Sequence, residues 1–481
     1  MRTLANKRKV LVETRRVLAL AGLAAALIID TPFQVRPAAA AEPAELVAPA
    51  RPVAEPENPA PAKDDAAEDK TLLGDFGGVR PLLAGFGATL GLVETSEILA
   101  NPIGGRRQGA IYEGLTDLSL GIDFRRYFHW RGIFLVRAYQ IHGRGISANN
   151  LDNLNTASNL EATRTTRLFE LWYEQRFGDW LRIRIGQQNA GQEFLISTTA
   201  NLFVNATFGW PTLPSLDLPS GGPTYPLGTP ALRFRVDATD AFTLFAGVFN
   251  GDPAGPGIGD PQRRDASGTA FRVNDGILAL FELRYNPENS NQNGTYKLGA
   301  WSNSERFSDL RRDTAGGSLA SPVSTGIPTS HSHDASLYAI VDQPLFGAKA
   351  AEAGLAVFAR AMGAPGDRNL VDFYLDGGVS YKGPFGRSGD TIGLAVAHAR
   401  IGKAARALDA DSARFVMQPL PIRSNETVVE LSYQFQLTPW WQVQPDFQYI
   451  INPGGGVLNP TVSGIRLGDA ALFGLRTRIT F

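Results

Sequence analysis

The sequence predicts an all-β fold, a 16-stranded antiparallel transmembrane β-barrel. Three observations carry this expectation. From residue 71 to the end, segments of about ten residues alternate apolar with polar or small side chains, the period of an extended strand. Arg and Glu sit between large apolar residues in one segment after another, so the two faces of the sheet meet different solvents. No stretch of the body approaches the run of about eighteen apolar residues that a spanning helix requires, and no segment of helical period or second domain interrupts the pattern.

Composition narrows the class further. The chain has 481 residues, no Cys and a net charge of -1. The missing Cys excludes a disulfide framework, a thiolate metal site and a thiol nucleophile. The near-zero charge gives no field that would draw nucleic acid. Residues 1–41 read as a secretory signal peptide. Arg2, Lys7, Arg8, Lys9, Arg15 and Arg16 form a basic start, Val17 to Ile29 an apolar core, and Ala38 to Ala41 a small-residue cleavage region. Residues 42–70 are Ala, Pro, Glu and Asp with few large apolar side chains. They are expected to be a disordered periplasmic tether, because they cannot bury enough surface to offset ordering entropy.

Residues 71–481 form the expected barrel domain. Strands are expected at Ala88–Leu99, Ile111–Phe124, Gly132–Ile141, Arg167–Phe177, Leu181–Asn189, Ala231–Val236, Phe242–Asn250 and Gly276–Asn286. The remaining eight are Thr295–Asn303, His333–Asp342, Gly354–Met362, Val371–Tyr381, Thr391–Arg400, Thr427–Leu437, Trp441–Ile451 and Ala471–Phe481. Sixteen is an even number, as bacterial barrels require, and that size leaves an aqueous channel. Gly178-Asp179 and Thr438-Pro439 are expected to be tight periplasmic turns. Gly143–Thr166, Gly251–Asn274 and Asp309–Ser332 are expected to be extracellular loops. Phe128, Trp130, Trp180, Trp440, Trp441 and Tyr449 suit interfacial aromatic bands. The chain ends on an aromatic, Phe481, expected to be the signal read by barrel assembly machinery.

Alternation assigns a lumen wall. Glu170, Trp172, Glu174, Arg176, Arg182, Arg184, Arg233, Arg235, Glu282, Arg284, Glu430, Asp446, Arg476 and Arg478 share the inward face. Ordered donors and acceptors beside an aromatic suit a neutral, hydroxyl-rich solute that must also be released. The stretch of about 193–229 is rich in Pro and Gly yet carries Phe203, Phe208, Trp210, Leu213 and Tyr225. That is too apolar for a solvated loop, so it is expected to fold inward, with Phe208, Trp210 and Tyr225 at a constriction. Five histidines, at 129, 142, 331, 333 and 398, offer little for catalysis. His331-Ser-His333 reads as a solvated pair in a polar loop rather than a metal site, and no hydrolase elbow or zinc-protease motif occurs.

A set of short words, in order, resembles the OprB-type carbohydrate-selective porins. They are Leu73-Gly-Asp-Phe-Gly-Gly-Val-Arg80, Tyr112-Glu-Gly-Leu115, Glu170-Leu-Trp-Tyr-Glu174, Gly186-Gln-Gln188 and Phe208-Gly-Trp-Pro211. Pro223-Thr-Tyr-Pro-Leu227, Gly247-Val-Phe-Asn-Gly251, Tyr381-Lys-Gly-Pro384 and Pro445-Asp-Phe-Gln-Tyr-Ile450 with Asn452-Pro453 complete the set. The resemblance covers about Leu72 to Phe481 and leaves out the acidic tail. It implies a sixteen-stranded outer-membrane porin, passive uptake of monosaccharides and related sugars, and no cofactor. The expected partners are small sugars, outer-membrane lipid and the assembly machinery, with a monomer or a homotrimer as the two oligomeric alternatives. Two other functions stay open at this point: an anion, phosphate or general diffusion porin, given the excess of Arg over Glu on the wall, and a barrel hydrolase.

Overall fold

The computed structural model describes residues 70–125, 131–287, 294–346, 354–418, 420–462 and 464–481. The expected signal peptide, all but the last residue of the tether, and Phe128 and Trp130 lie outside the described residues.

Sixteen strands close into one antiparallel barrel. They are β1 Ala88–Ile103, β2 Gly109–Asp123, β3 Gly132–Gly143, β4 Thr165–Phe177, β5 Leu181–Gln188, β6 Thr229–Thr239, β7 Phe242–Asn250, β8 Ile277–Tyr285 and β9 Thr295–Asn303. The circuit continues after a separate two-stranded hairpin, β10 Phe307–Asp313 and β11 Pro328–His331. It runs through β12 Asp334–Phe346, β13 Gly354–Gly363, β14 Val371–Lys382, β15 Thr391–Ile401, β16 Asn425–Thr438, β17 Trp441–Ile451 and β18 Ala470–Thr480. β1 bonds both β2 and β18, so no edge is left for lipid to desolvate. Every expected strand is present, with ends moved by a few residues. β10 and β11 lie where a plain loop was expected, and helix Lys403–Val416 fills another connection.

The two faces invert the order of a soluble protein. Outward side chains are apolar and open, for example Ile185 at 59%, Leu298 at 58% and Leu337 at 69% exposure. Inward ones are charged and covered: Glu97, Arg137, Glu170, Arg233, Glu282, Arg360, Asp376 and Glu430 are each at 2% or less. Leaving large apolar side chains open to water forgoes roughly 1.5–3 kcal/mol each, so the outer surface is matched to hydrocarbon. The expected tight turns, Gly178-Asp179 and Thr438-Pro439, close one rim. The three expected long connections all emerge at the other. Aromatic pairs gather near the short-turn rim: Phe242 with Tyr285, Phe346 with Tyr381, Tyr433 with Phe435, and Trp440 stacked on Trp441 at 6.2 Å. They form the interfacial girdle of a membrane barrel.

Two departures from a plain barrel matter later. Midway along β1–β3 the outward face carries a polar island. Glu94 accepts from Ser96 at 2.8 Å and Thr116 at 2.6 Å, and the Tyr112 hydroxyl lies 3.0 Å from both Ser96 and His142. At the seam, the Leu73–Arg80 word folds under the barrel. Arg80 binds the Gly74 carbonyl at 2.7 Å, the Thr71 hydroxyl and the Phe481 carbonyl, while Leu72 N–H donates to Thr480 at 2.8 Å.

Candidate functional site

Inward-facing charges hold two segments inside the barrel. The β5–β6 connection, 189–228, is one. Its backbone is gripped from across the lumen: Leu195 N–H by Glu282 at 3.0 Å, Thr199 N–H by Asp342 at 3.0 Å, and Val204 and Asn205 N–H by Glu430 at 2.5 and 3.0 Å. Its carbonyls are held by cations: Ile196 by Lys297 at 2.6 Å, and Leu195, Thr207 and Gly209 by Arg360 at 2.8–2.9 Å. A loop at this depth must satisfy its backbone groups, and short turns between these anchors satisfy others, as where Phe194 N–H donates to Ala190 and Phe208 N–H to Asn205.

The β3–β4 connection is the other segment. It was expected to be an extracellular loop, and it does emerge at the long-loop rim, but its middle descends into the lumen. Glu426 accepts from the Leu154 and Asn155 N–H groups, both at 2.7 Å, Gln448 donates to the Ala157 carbonyl at 2.9 Å, and Ser158 donates to Glu97. The two segments bond to each other, Asn159 N–H to Val204 and Ala206 N–H to Thr156, both at 2.9 Å.

Most of the wall residues named from the sequence lie beneath these segments. Glu170 is fully buried and pairs with Arg137 at 3.0 Å. Glu174 and Glu193 share Arg233 at 2.6 Å each and Arg184 at 2.9 and 3.2 Å, and the Arg184 guanidinium lies 3.9 Å over the Trp172 ring. Arg182 and Arg235 meet Asp237 at 3.6 and 2.8 Å. Arg284 pairs with Glu282 at 2.6 Å and lies 3.8 Å over Phe245. Arg176 faces Arg182 across the β4–β5 ladder near the short-turn rim. Arg476 reaches Glu97 at 2.6 Å and Asn159 at 2.9 Å. The Arg478 side chain makes no hydrogen bond or ion pair among the described residues. Phe208 is buried between Phe203 and Phe358, with ring centres 4.9 and 6.3 Å away. Trp210 Nε1–H donates to Gly221 at 3.1 Å. The Tyr225 hydroxyl donates to Leu160 at 2.8 Å, and desolvation pushes its phenol up, so it stays a donor. Arg137, Lys297, Asp342, Arg360 and Glu426 were not singled out from the sequence. Their signal was there in the same alternation, as with Arg360 between Ala359 and Ala361.

Among the described residues, three cavities share lining residues with the two inserted segments. A mouth of ≈ 1390 Å³ is lined by Arg144, Asp152, Glu161, Arg164, Arg263 and Arg423, among others. An aromatic chamber of ≈ 180 Å³ lies among Tyr139, Leu160, Phe169, Phe203, Trp210 and Tyr225. A smaller cavity of ≈ 60 Å³ is walled by Thr95, Gln434, Gln442, Gln444, Arg476 and Arg478. Asn159, Leu160 and Asn201 border both lower cavities, and Glu161 and Ala162 border the mouth. Residues 159–162 therefore border all three cavities between them.

A closed barrel with an apolar exterior, a charged interior and a lumen narrowed by its own loops is a diffusion porin of the bacterial outer membrane. The chain belongs to the carbohydrate-selective porins of the OprB family, whose family model matches residues 107–481. It is 26% identical over 427 residues to Porin B of Pseudomonas aeruginosa, across 83% of this chain and 90% of that protein. Two solved structures of Pseudomonas putida OprB share the fold. The high-pH form has a TM-score of 0.75 at 24% identity, covering 86% of this chain and 99% of that one. The low-pH form has a TM-score of 0.52 at 19% identity, covering 86% and 100%. The protein is an outer-membrane sugar porin.

Proposed function

We propose that small sugars pass from the mouth across residues 159–162 and out along the Arg476–Arg478 wall. The observation that supports this most is the continuity of lining residues, with Asn159, Leu160 and Asn201 shared by the aromatic chamber and the exit. Asn side chains offer donors and acceptors to hydroxyls, and Tyr225 and Trp210 offer apolar faces to C–H patches. Each contact is weak enough for release. On this reading the buried cluster around Glu170, Trp172, Glu174, Arg184 and Arg233 holds the inserted segment in place rather than touching the solute. The channel is passive and turns over no bond.

Liposome swelling with sugars matched for size tests the proposal. Rates that differ between stereoisomers of one size support selectivity, whereas equal rates reduce the protein to a general diffusion pore. Hydrolysis of a lipid or peptide ester by the purified protein, lost with one His, would favour the enzymatic alternative. Phe481 is proposed as the mark for barrel assembly.

A further inference from the structure

We infer that the exit cavity holds a carboxylate subsite, and that the channel's favoured cargo is a sugar acid: a monosaccharide carrying a carboxylate. This inference rests on the sugar path proposed above and names its substrate class.

The subsite follows from strand register. Across the closing seam, Thr95 of β1, Arg478 of β18 and Gln442 of β17 stand in one row, and Glu97, Arg476 and Gln444 in the row two residues on. All six point inward. In the second row the charges are matched, because Arg476 is committed to Glu97 at 2.6 Å and to Asn159. In the first row they are not. Arg478 has Thr95 and Gln442 for neighbours, and its side chain makes no hydrogen bond or ion pair among the described residues. Asp117 attracts it but ion-pairs with Arg137 instead, at 3.6 Å. The cavity that Arg478 lines contains no carboxylate.

The neighbouring donors and acceptors divide in a way that fits one ligand. Asn201 Nδ2 is buried at the cavity wall without a partner. The Gln444 amide nitrogen is spent on the Leu202 carbonyl at 2.7 Å and the Ser432 hydroxyl at 2.8 Å, which leaves its oxygen as the acceptor of a residue that lines the cavity. An uncommitted guanidinium, an unfilled amide donor and a free amide oxygen recognise a carboxylate on a hydroxylated ring. A guanidinium fork binds such an anion with two charge-assisted bonds, and a buried donor without a partner favours a ligand that supplies one.

The mouth is arranged for the same charge. It is lined by four arginines against two acids, Asp152 and Glu161. Asp152 pairs with Arg106 at 3.3 Å, and Glu161 accepts from Ser147 N–H at 3.1 Å. The exposed side chains of Arg144 and Arg164 make no hydrogen bond or ion pair among the described residues. Uncommitted cations at both ends of a low-dielectric passage raise the local concentration of anions and speed their entry.

The test uses the purified porin in planar bilayers at about 0.1 M salt, where charges interact over roughly 10 Å. Glucuronate, glucose and acetate are the probes. Glucuronate is expected to half-block the ion current at a concentration about tenfold below glucose, the weight of one added charge-assisted contact, and acetate to block weakly. In the R478Q variant the ratio of the two half-blocking concentrations falls toward one, and R478K keeps part of it. Replacing Arg144 and Arg164 together by Gln slows glucuronate entry and leaves its exit rate unchanged. Equal block by glucuronate and glucose overturns the inference and leaves the sugar path standing. Acetate blocking as well as glucuronate overturns it too, because the subsite would then read charge alone. So does an unaltered ratio in heat-modifiable R478Q. A channel that conducts chloride but admits neither sugar removes the sugar path itself.

Discussion

Arg360 shows how an inward charge is used in this lumen. It pairs with Asp376 on the next strand and donates to three carbonyls of the inserted segment, with 1% of its side chain exposed. Removing one partner of such a buried pair leaves the other charge uncompensated, at about 3–5 kcal/mol. Arg360→Ala should therefore lower the thermal midpoint of the folded barrel and raise single-channel conductance as the segment loosens. An unchanged conductance would separate the clamp from the constriction. Trp172 behaves as packing: it is 6% exposed under the Arg184 guanidinium. Trp172→Ala should cost about 3–5 kcal/mol and leave sugar block less altered than Tyr225→Ala does. A larger loss of block at Trp172 would return the solute path to the β4–β5 wall.

At the scale of elements, strands supply the frame and the connections supply the pore. The β5–β6 segment brings apolar side chains into the lumen, with Phe208 seated on Phe203 and Phe358. The β3–β4 segment brings Asn and Ser and is held by carboxylates, by Glu426 through its backbone and by Glu97 through the Ser158 hydroxyl. Glu426→Gln keeps the shape of the second anchor but weakens its bonds to Leu154 and Asn155. Noisier current with shorter open dwell times is the expected result, and a quiet, unaltered channel would show that Glu97 and Gln448 suffice. The seam is a third element-scale device, since Arg80 ties the Leu73–Arg80 word to the Phe481 carbonyl. Deleting Phe481 should reduce the yield of heat-modifiable barrel, and Arg80→Ala should lower the stability of barrels that have formed. Wild-type assembly without Phe481 would remove its proposed role as a signal.

For the whole molecule, the inversion of faces makes charge substitutions asymmetric. Ile185 is 59% exposed on the outer face, and Ile185→Arg would place a cation in hydrocarbon at about 2–4 kcal/mol near the midplane. Such a variant should fold poorly in thin bilayers while Arg184→Gln folds. Equal folding of both would contradict the register. The polar island of Glu94, Ser96, Tyr112, Thr116 and His142 departs from the apolar outer face, and it bears on the two oligomeric alternatives. We propose that this network packs against a second copy of the chain, as it would in the homotrimer. The chain has no Cys, so Ser96→Cys gives a single thiol. Cross-linked species in the native membrane are expected, and their absence with a thiol-thiol linker would favour the monomer.

The sequence by itself determined the sheet. Alternation with period two depends on nearest neighbours alone, so strands such as Thr295–Asn303 and Trp441–Ile451 could be read off, together with which side chains face lipid. It also marked the β5–β6 segment, because Phe203, Phe208 and Trp210 are too apolar for a solvated loop. The β3–β4 segment gave no such signal: Asn153, Asn155, Ser158 and Asn159 suit a surface loop equally well, and its descent depends on carboxylates more than fifty residues away in sequence. Tertiary structure alone decided which inward charges are spent and which are free. Arg184 and Arg478 look alike in their strands, each an inward Arg followed by an Ile on the outer face. Arg184 meets Glu174 and Glu193 because an inserted segment crosses it, while Arg478 meets Thr95 and Gln442 because of where the barrel closes. The face a side chain takes is a local property of the strand, whereas its partner is set by closure and loop insertion, which no local pattern encodes.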